Sequence, residues 1–188
     1  MQSTKQKILT AAARLFRKQG YNGTYLSEIA KLVGIQPPSI YNHFASKQEL
    51  LRDLLLQVAH LFTKGMEEIV TTQMNAEEKL KRLIALHVRL TVDQTDAVAL
   101  IAGEWIHLEE PTKSVYLQSR SKYEAQFKEI IEQGKQQGTI KDIDTDIMLF
   151  STLSTLNWLY SWYSKNRDFN VIELERQITL CLMSGMSK

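Results

Sequence analysis

Apolar residues recur at helical spacing along almost the whole chain, strand-like alternation is nearly absent, and Pro and Gly are confined to a few junctions. That pattern dictates an all-α fold. Ile8, Leu9, Ala12, Leu15 and Phe16 form one stripe of a helix opened by Ser3 or Thr4 and closed at Gly20, and the other face of that helix is basic. A short second helix carries Leu26, Ile29, Ala30 and Val33 on one side and stops at Gly34, a residue suited to a left-handed turn. A third starts at Ile35-Gln36-Pro37-Pro38, because the missing proline donors cost little in a first helical turn, and runs through Ser39 to Phe44. Ser46 and Glu49 then make a Ser-x-x-Glu capping box at the head of a long fourth helix. The periodicity predicts helices near 47–72, 76–93, 95–109, 112–137, 145–165 and 171–185, about nine in all, with breaks at Asn75, Pro111 and Gly134 to Gly138.

A chain of 188 residues, 44% hydrophobic and 23% charged, has the means to bury one core and the composition of a soluble protein. No uninterrupted apolar run approaches the ~20 residues that cross a bilayer; even 147–163 is broken by Ser151, Thr152, Ser154, Thr155, Asn157 and Ser161. The N-terminus lacks a secretory pattern, and Cys181 is the sole cysteine, so no intrachain disulfide forms and a cytoplasmic protein with a core thiol is expected. The net charge of +2 is unevenly spread. Residues 1–52 hold eight basic side chains (Lys5, Lys7, Arg14, Arg17, Lys18, Lys31, Lys47, Arg52) against Glu28 and Glu49, a balance of +6, whereas the remainder holds 15 basic and 19 acidic, a balance of −4. Such an asymmetry favours a polyanion for the N-terminal part. Two short helices joined at a Gly turn, the second rich in polar tips, have the layout of a helix-turn-helix. The division expected is 1–52 for DNA binding and 53–188 for ligand binding and dimerisation, with the fourth helix running between them without a linker.

The run Gly20-Tyr21-Asn22-Gly23-Thr24-Tyr25-Leu26-Ser27-Glu28-Ile29-Ala30-Lys31-Leu32-Val33-Gly34-Ile35, followed by Ser39-Ile40-Tyr41-Asn42-His43-Phe44-Ala45-Ser46-Lys47-Gln48-Glu49-Leu50-Leu51, resembles the N-terminal domain of TetR-family repressors. The resemblance spans residues from about 5 to 52 and implies a ligand-responsive transcriptional regulator that binds a double-stranded operator as a homodimer. It implies that the third helix enters the major groove, with Gln36, Pro37, Ser39 and Asn42 at base edges: Gln and Asn suit adenine, Ser takes either role, and the Pro ring packs on a thymine methyl. Tyr41, His43 and Lys47 match positions that meet phosphate, and Thr24 and Tyr25 approach phosphate at the start of the second helix. Ile29, Ala30, Val33, Phe44 and Leu50 are core. Tyr25 stands where the family usually has Ser or Thr, so Thr24 is expected to supply the helix cap.

Further along, the resemblance implies architecture more than chemistry. Residues 145–165 are apolar or aromatic around most of a helix, so that helix must be covered on several sides. The last two helices are expected to pair with their copies in a second subunit. A largely apolar effector pocket is expected from Leu86, Trp105, Tyr123, Phe127 and Trp158, with Leu90, Ile101, Leu108, Tyr116 and Phe150 beside them and Arg89, His107, Arg120 and Asn157 as polar anchors. Asn157-Trp158 followed by Trp162-Tyr163 looks similar to members that sense acyl-CoA thioesters. Core packing is an equal reading of each of these aromatics taken singly. Glu104, His107 and Glu110 have partial metal-ligand spacing, but zinc wants Cys or more His, so neither metal nor cofactor is expected. No nucleotide-binding Gly motif, Gly-x-Ser-x-Gly or His-carboxylate cluster points to an enzyme. The competing function is a helical ligand-binding or scaffold protein without DNA binding.

Overall fold

The computed structural model describes residues 3–188. Helix α1 spans Thr4–Gln19, α2 Leu26–Val33, α3 Lys47–Val70, α4 Ala76–Asp93, α5 Thr95–Gly103, α6 Thr112–Gln136, α7 Thr145–Tyr163 and α8 Val171–Met186. Two 3-10 helices, Pro37–Asn42 and Glu104–His107, complete the helical elements of the described residues. The extended pairing among them is an isolated antiparallel bridge between Ile140 and Ser187.

Helix starts follow the capping residues. Ser3 Oγ accepts from the Gln6 N–H at 3.2 Å. Asn75 and Glu78 form a reciprocal box, Asn75 Oδ1 accepting from the Glu78 N–H at 2.9 Å and the Glu78 carboxylate from the Asn75 N–H at 3.1 Å. At α3 the Ser46 hydroxyl accepts from the Glu49 N–H as expected, but the Glu49 carboxylate reaches the Ala45 N–H, one residue outside the box. Two predicted helices come out differently. The segment Pro37–Asn42 is a 3-10 helix, opened by the Ser39 N–H on Gln36 O at 2.9 Å, because two adjacent prolines remove donors from a segment too short to build an α ladder. The predicted 95–109 helix stops at Gly103 and tightens into the 3-10 turn Glu104–His107.

The chain packs as two units, and neither is one stretch of sequence. The first joins residues up to Ala59 with Asp96–Leu117. Its core holds Ile8, Phe16, Ile29, Ile40, Phe44, Leu50 and Leu51, together with Leu100, Leu108 and Tyr116. Leu108 and Tyr116, expected near an effector, are therefore packing residues of this unit. The second joins His60–Thr95 with Gln118–Lys188. In it α4 packs on α7 and α8, with Val88, Leu159, Tyr163 and Leu174 in one cluster and Arg89 paired to Glu175 across α4 and α8.

Helix α7 buries Met148, Leu149, Thr152, Leu156, Leu159 and Tyr163. The opposite stripe, Ile147, Phe150, Trp158 and Trp162, is exposed. Cys181, expected in the core, is exposed too, on a stretch of α8 where Leu180, Ser184 and Gly185 also lack a covering neighbour.

Candidate functional site

The head of the first unit is built around a glycine turn. Gly34 adopts φ 78°, ψ 31°, a left-handed conformation that costs a side-chain-bearing residue, and the Ile35 N–H returns to Ala30 O at 3.0 Å. The 3-10 helix that follows is pinned by Ile40, which is fully buried. Around that anchor Gln36, Pro37, Tyr41, Asn42 and His43 are exposed and Ser39 is half-buried. Tyr41 is 59% and Tyr25 67% exposed, too much for aromatic residues whose purpose is packing. The six residues expected around the third helix thus lie together on one short element and its two flanking residues, five of them exposed.

Thr24 and Lys47 are placed otherwise. Thr24 is fully buried, and its hydroxyl donates to Gly20 O at 2.9 Å, so its side chain offers nothing to a phosphate. Nor does it cap α2: the N-cap is Tyr25, whose N–H donates to the Glu28 carboxylate at 2.9 Å. Lys47 is half-buried, and its ammonium donates to Tyr21 O at 2.8 Å and Thr24 O at 3.0 Å while lying 4.2 Å from the Tyr21 ring centre. Two of its three protons are thereby used, and one remains for an outside acceptor. The Tyr21 N–H donates to Glu104 Oε2 at 3.0 Å, and its ring stacks on His107 at 5.3 Å. Gln48 Nε2 donates to His107 O at 2.6 Å. Burial, helped by the charge of Glu109, raises the Tyr21 pKa, so its hydroxyl stays neutral.

The charge asymmetry is a matter of pattern. Lys5 pairs with Asp53 at 3.3 Å, Arg17 with Asp96, and Arg52 with Glu49 and Asp53 at 3.0 and 2.8 Å. Counting Asp53 and residues 96–117, the first unit holds nine Lys or Arg and seven Asp or Glu, a balance of +2 in place of +6. The exposed cations Lys7, Arg14, Lys18 and Lys31 carry the basic character of its surface.

The residues expected to bind an effector are scattered. Leu86, Tyr123 and Phe127 lie in the second unit: Phe127 is fully buried, and Leu86 presses on α3 where a Cβ on Gly65 would lie 2.5 Å from Leu86 Cδ2. Tyr123 is buried with its Oη 2.8 Å from His87 Nε2, and Phe62 lies 4.6 Å from the imidazole. Burial lowers the His87 pKa to about 3 and raises that of Tyr123, so both are neutral. Arg89 and Arg120 are surface side chains paired with Glu175 and Glu124, each at 2.8 Å, and do not point inward. Trp158 is 64% exposed and stacks on Tyr160; Asn157 beside it is half-buried. Trp105 stacks on Tyr116 and, with His107, belongs to the first unit. Glu104 is taken by Tyr21, and Glu110 accepts from the Ser114 hydroxyl at 2.6 Å; among the described residues no three metal-ligating side chains converge.

Comparison with known proteins fits this layout at both ends. Residues 8–54 match the family model of bacterial regulatory proteins of the tetR family, and residues 73–186 match the tetracyclin repressor-like C-terminal domain. The chain belongs to the TetR family. It is a helix-turn-helix transcriptional regulator. It is 24% identical to the HTH-type transcriptional repressor KstR2 of Mycobacterium tuberculosis, over 99% of this chain and 94% of that protein. It is 25% identical to the fatty acid metabolism regulator protein of Bacillus subtilis, over 96% and 94%. The solved structure of KstR2 of Mycobacterium tuberculosis superposes with a TM-score of 0.93 at 23% identity, covering 100% of this chain and 97% of that one. That of AibR in complex with isovaleryl coenzyme A and operator DNA gives 0.82 at 24% identity, covering 96% and 98%.

Two features of this TetR-family chain escaped the sequence reading. The seat of Tyr21 on Glu104 and His107 joins residues more than eighty positions apart, and no local pattern announces it. His87 left a faint signal: it falls within the buried stripe Leu80, Leu83, Ile84, Val88 and Thr91 of α4, where a lone histidine is out of character.

Proposed function

We propose that this TetR-family protein is a cytoplasmic repressor that binds a pseudo-palindromic operator as a homodimer and leaves it when a largely apolar effector occupies the second unit. The observation that carries the reading is the exposed polar face of Pro37–Asn42 on a buried Ile40. Gln36, Pro37, Ser39 and Asn42 serve base edges; Tyr25, Tyr41, His43 and the remaining Lys47 proton serve phosphates. Dimerisation falls to α7 and α8, whose uncovered Ile147, Phe150, Trp158, Trp162, Ile172 and Leu180 form an apolar surface larger than scattered exposure explains. Two heads related by a twofold axis match two half-sites.

The effector class is supported by two relatives: one is named for fatty acid metabolism, and another was solved with isovaleryl coenzyme A and operator DNA. The aromatic interior around Phe62, Tyr123 and Phe127 supports an acyl-CoA or related lipid intermediate as the effector class. The protein acts by binding, with no cofactor, metal or chemical step. Effector occupancy biases the α3 helices and shifts the dimer toward a head separation that no longer matches the half-sites, through differential affinity for the two states. Fluorescence anisotropy of a selected operator fragment tests this: medium-chain acyl-CoA thioesters release it. Release by a sugar or a metal ion, and by no amphiphile, contradicts the reading.

A further inference from the structure

The interior of the second unit is polar at a few points and charged at none. Its buried polar residues, among the described residues, include His87, Thr91, Thr95, Thr152, Tyr123 and Tyr163, and the hydroxyl of half-buried Ser187, at the far end of the unit after α8, is buried without a partner as well. Thr95 and Thr152 donate to backbone carbonyls of their own segments, Val92 O and Met148 O. His87 and Tyr123 hold each other at 2.8 Å. The Thr91 hydroxyl, on a residue only 1% exposed, has no hydrogen-bond partner. His87 and Thr91 are four residues apart on α4 and so share its buried face. Phe62 against the imidazole and Phe127 at 6.4 Å from Tyr123 supply apolar walls.

An unpaired hydroxyl in such surroundings is costly and calls for an outside partner. That partner's charge is constrained. Arg89 and Arg120, the cations expected as polar anchors, are paired at the surface, and a carboxylate brought beside His87 meets no compensating cation. We propose that His87, Thr91 and Tyr123 form the polar end of the effector site and read a neutral oxygen, the carbonyl of a ketone or thioester or a hydroxyl, on an otherwise apolar molecule. The inference rests on the reading that the second unit takes an apolar effector. A neutral imidazole can either accept from the Tyr123 hydroxyl or donate to it, so the pair presents an acceptor in one tautomer and a free donor in the other. It thereby serves a hydroxyl or a carbonyl, while any ionised part of the effector stays at solvent.

The test is titration calorimetry of the full chain with three ten-carbon probes, decan-2-one, decan-1-ol and decanoate, at pH 7.5. The ketone and alcohol bind at least about ten times more tightly than decanoate. Tyr123→Phe and the near-isosteric Thr91→Val each weaken ketone binding about 5–10-fold. Thr91→Val also raises the melting temperature of the free protein by about 2–4 °C, because the unpaired hydroxyl is gone; a hydroxyl with only a structural role does not combine that gain with lost affinity. Arg89→Ala and Arg120→Ala leave ketone affinity unchanged. Decanoate binding as tightly as the ketone, or unchanged ketone affinity in both hydroxyl variants, overturns the inference and leaves the apolar-effector reading standing. If none of the three probes binds the unaltered protein, both fall.

Discussion

The two units of the chain handle polarity in opposite ways. In the first, the Pro37–Asn42 element is mostly exposed and the more buried polar side chains nearby are tied to backbone carbonyls: Thr24 to Gly20 O, and half-buried Lys47 to Tyr21 O and Thr24 O. In the second, the arginines and Trp158 lie at the surface and a small neutral set sits inside, with the Thr91 hydroxyl unpaired. A surface that recognises a polyanion needs charge and polar tips in water, where desolvation is mild. An interior that recognises an apolar molecule tolerates only neutral groups, because a buried charge needs a partner. The same residue types therefore carry different information in the two regions.

Removing the anchor of each unit has the largest expected effects. Phe44→Ala costs about 3–5 kcal/mol in the first core and abolishes operator binding, while circular dichroism and light scattering still report a helical dimer. Loss of the dimer as well contradicts a head that folds on its own core. Conversely, Trp158→Asp places a charge on the uncovered stripe of α7 and yields a monomer with operator affinity reduced at least about 100-fold, measured by sedimentation and anisotropy.

His87 gives the next largest effect. Its pKa is about 3 in the fold and 6.5 outside it, so the unfolded chain takes up a proton that the folded one refuses as pH falls below 6.5. The stability due to neutral His87 is present above pH 6.5 and is lost progressively toward pH 3. Denaturant titrations at pH 8 and pH 5 should differ by roughly 2 kcal/mol more in the natural chain than in His87→Gln. An equal pH dependence in both means that the imidazole is not buried neutral.

The legibility of the chain follows the same division. Helix limits were readable because their causes are local: Ser3, Asn75 and Gly34 cap or turn through neighbours a few residues away. The exposed set at Gln36 to His43 was readable for the same reason, being part of one short motif. Of the exceptions there, Thr24 turns back to Gly20 O four residues earlier, whereas Lys47 is fixed by carbonyls more than twenty residues away. In the second unit aromatic content alone could not separate Tyr123, which is buried, from Trp158, which is exposed, since both sit on helices at plausible spacings. Arg89 and Arg120 offered suitable chemistry for a polar anchor, but their acidic partners Glu175 and Glu124 hold them at the surface.

Smaller effects sharpen the account. Tyr41→Phe weakens all operator variants by a similar factor, about 3–10-fold, because a phosphate contact carries no sequence information; a changed order of preference among single-base variants removes that role. Arg120→Ala, which loses an exposed pair with Glu124, shifts stability by no more than about 0.5 kcal/mol in thermal melts. A larger loss there shows a role beyond the surface.

Whether the exposed face of Pro37–Asn42 reads DNA as a twofold pair is decided by selecting bound fragments from a random double-stranded library with the purified full chain and sequencing them. A twofold pair of heads selects a pseudo-palindrome whose half-site centres lie about one helical turn, ~10 base pairs, or a multiple of it apart. Gln36→Ala and Asn42→Ala relax the preference at separate positions within each half. Recovery of unrelated sequences, bound only through a salt-dependent affinity that both variants leave unchanged, would contradict that reading.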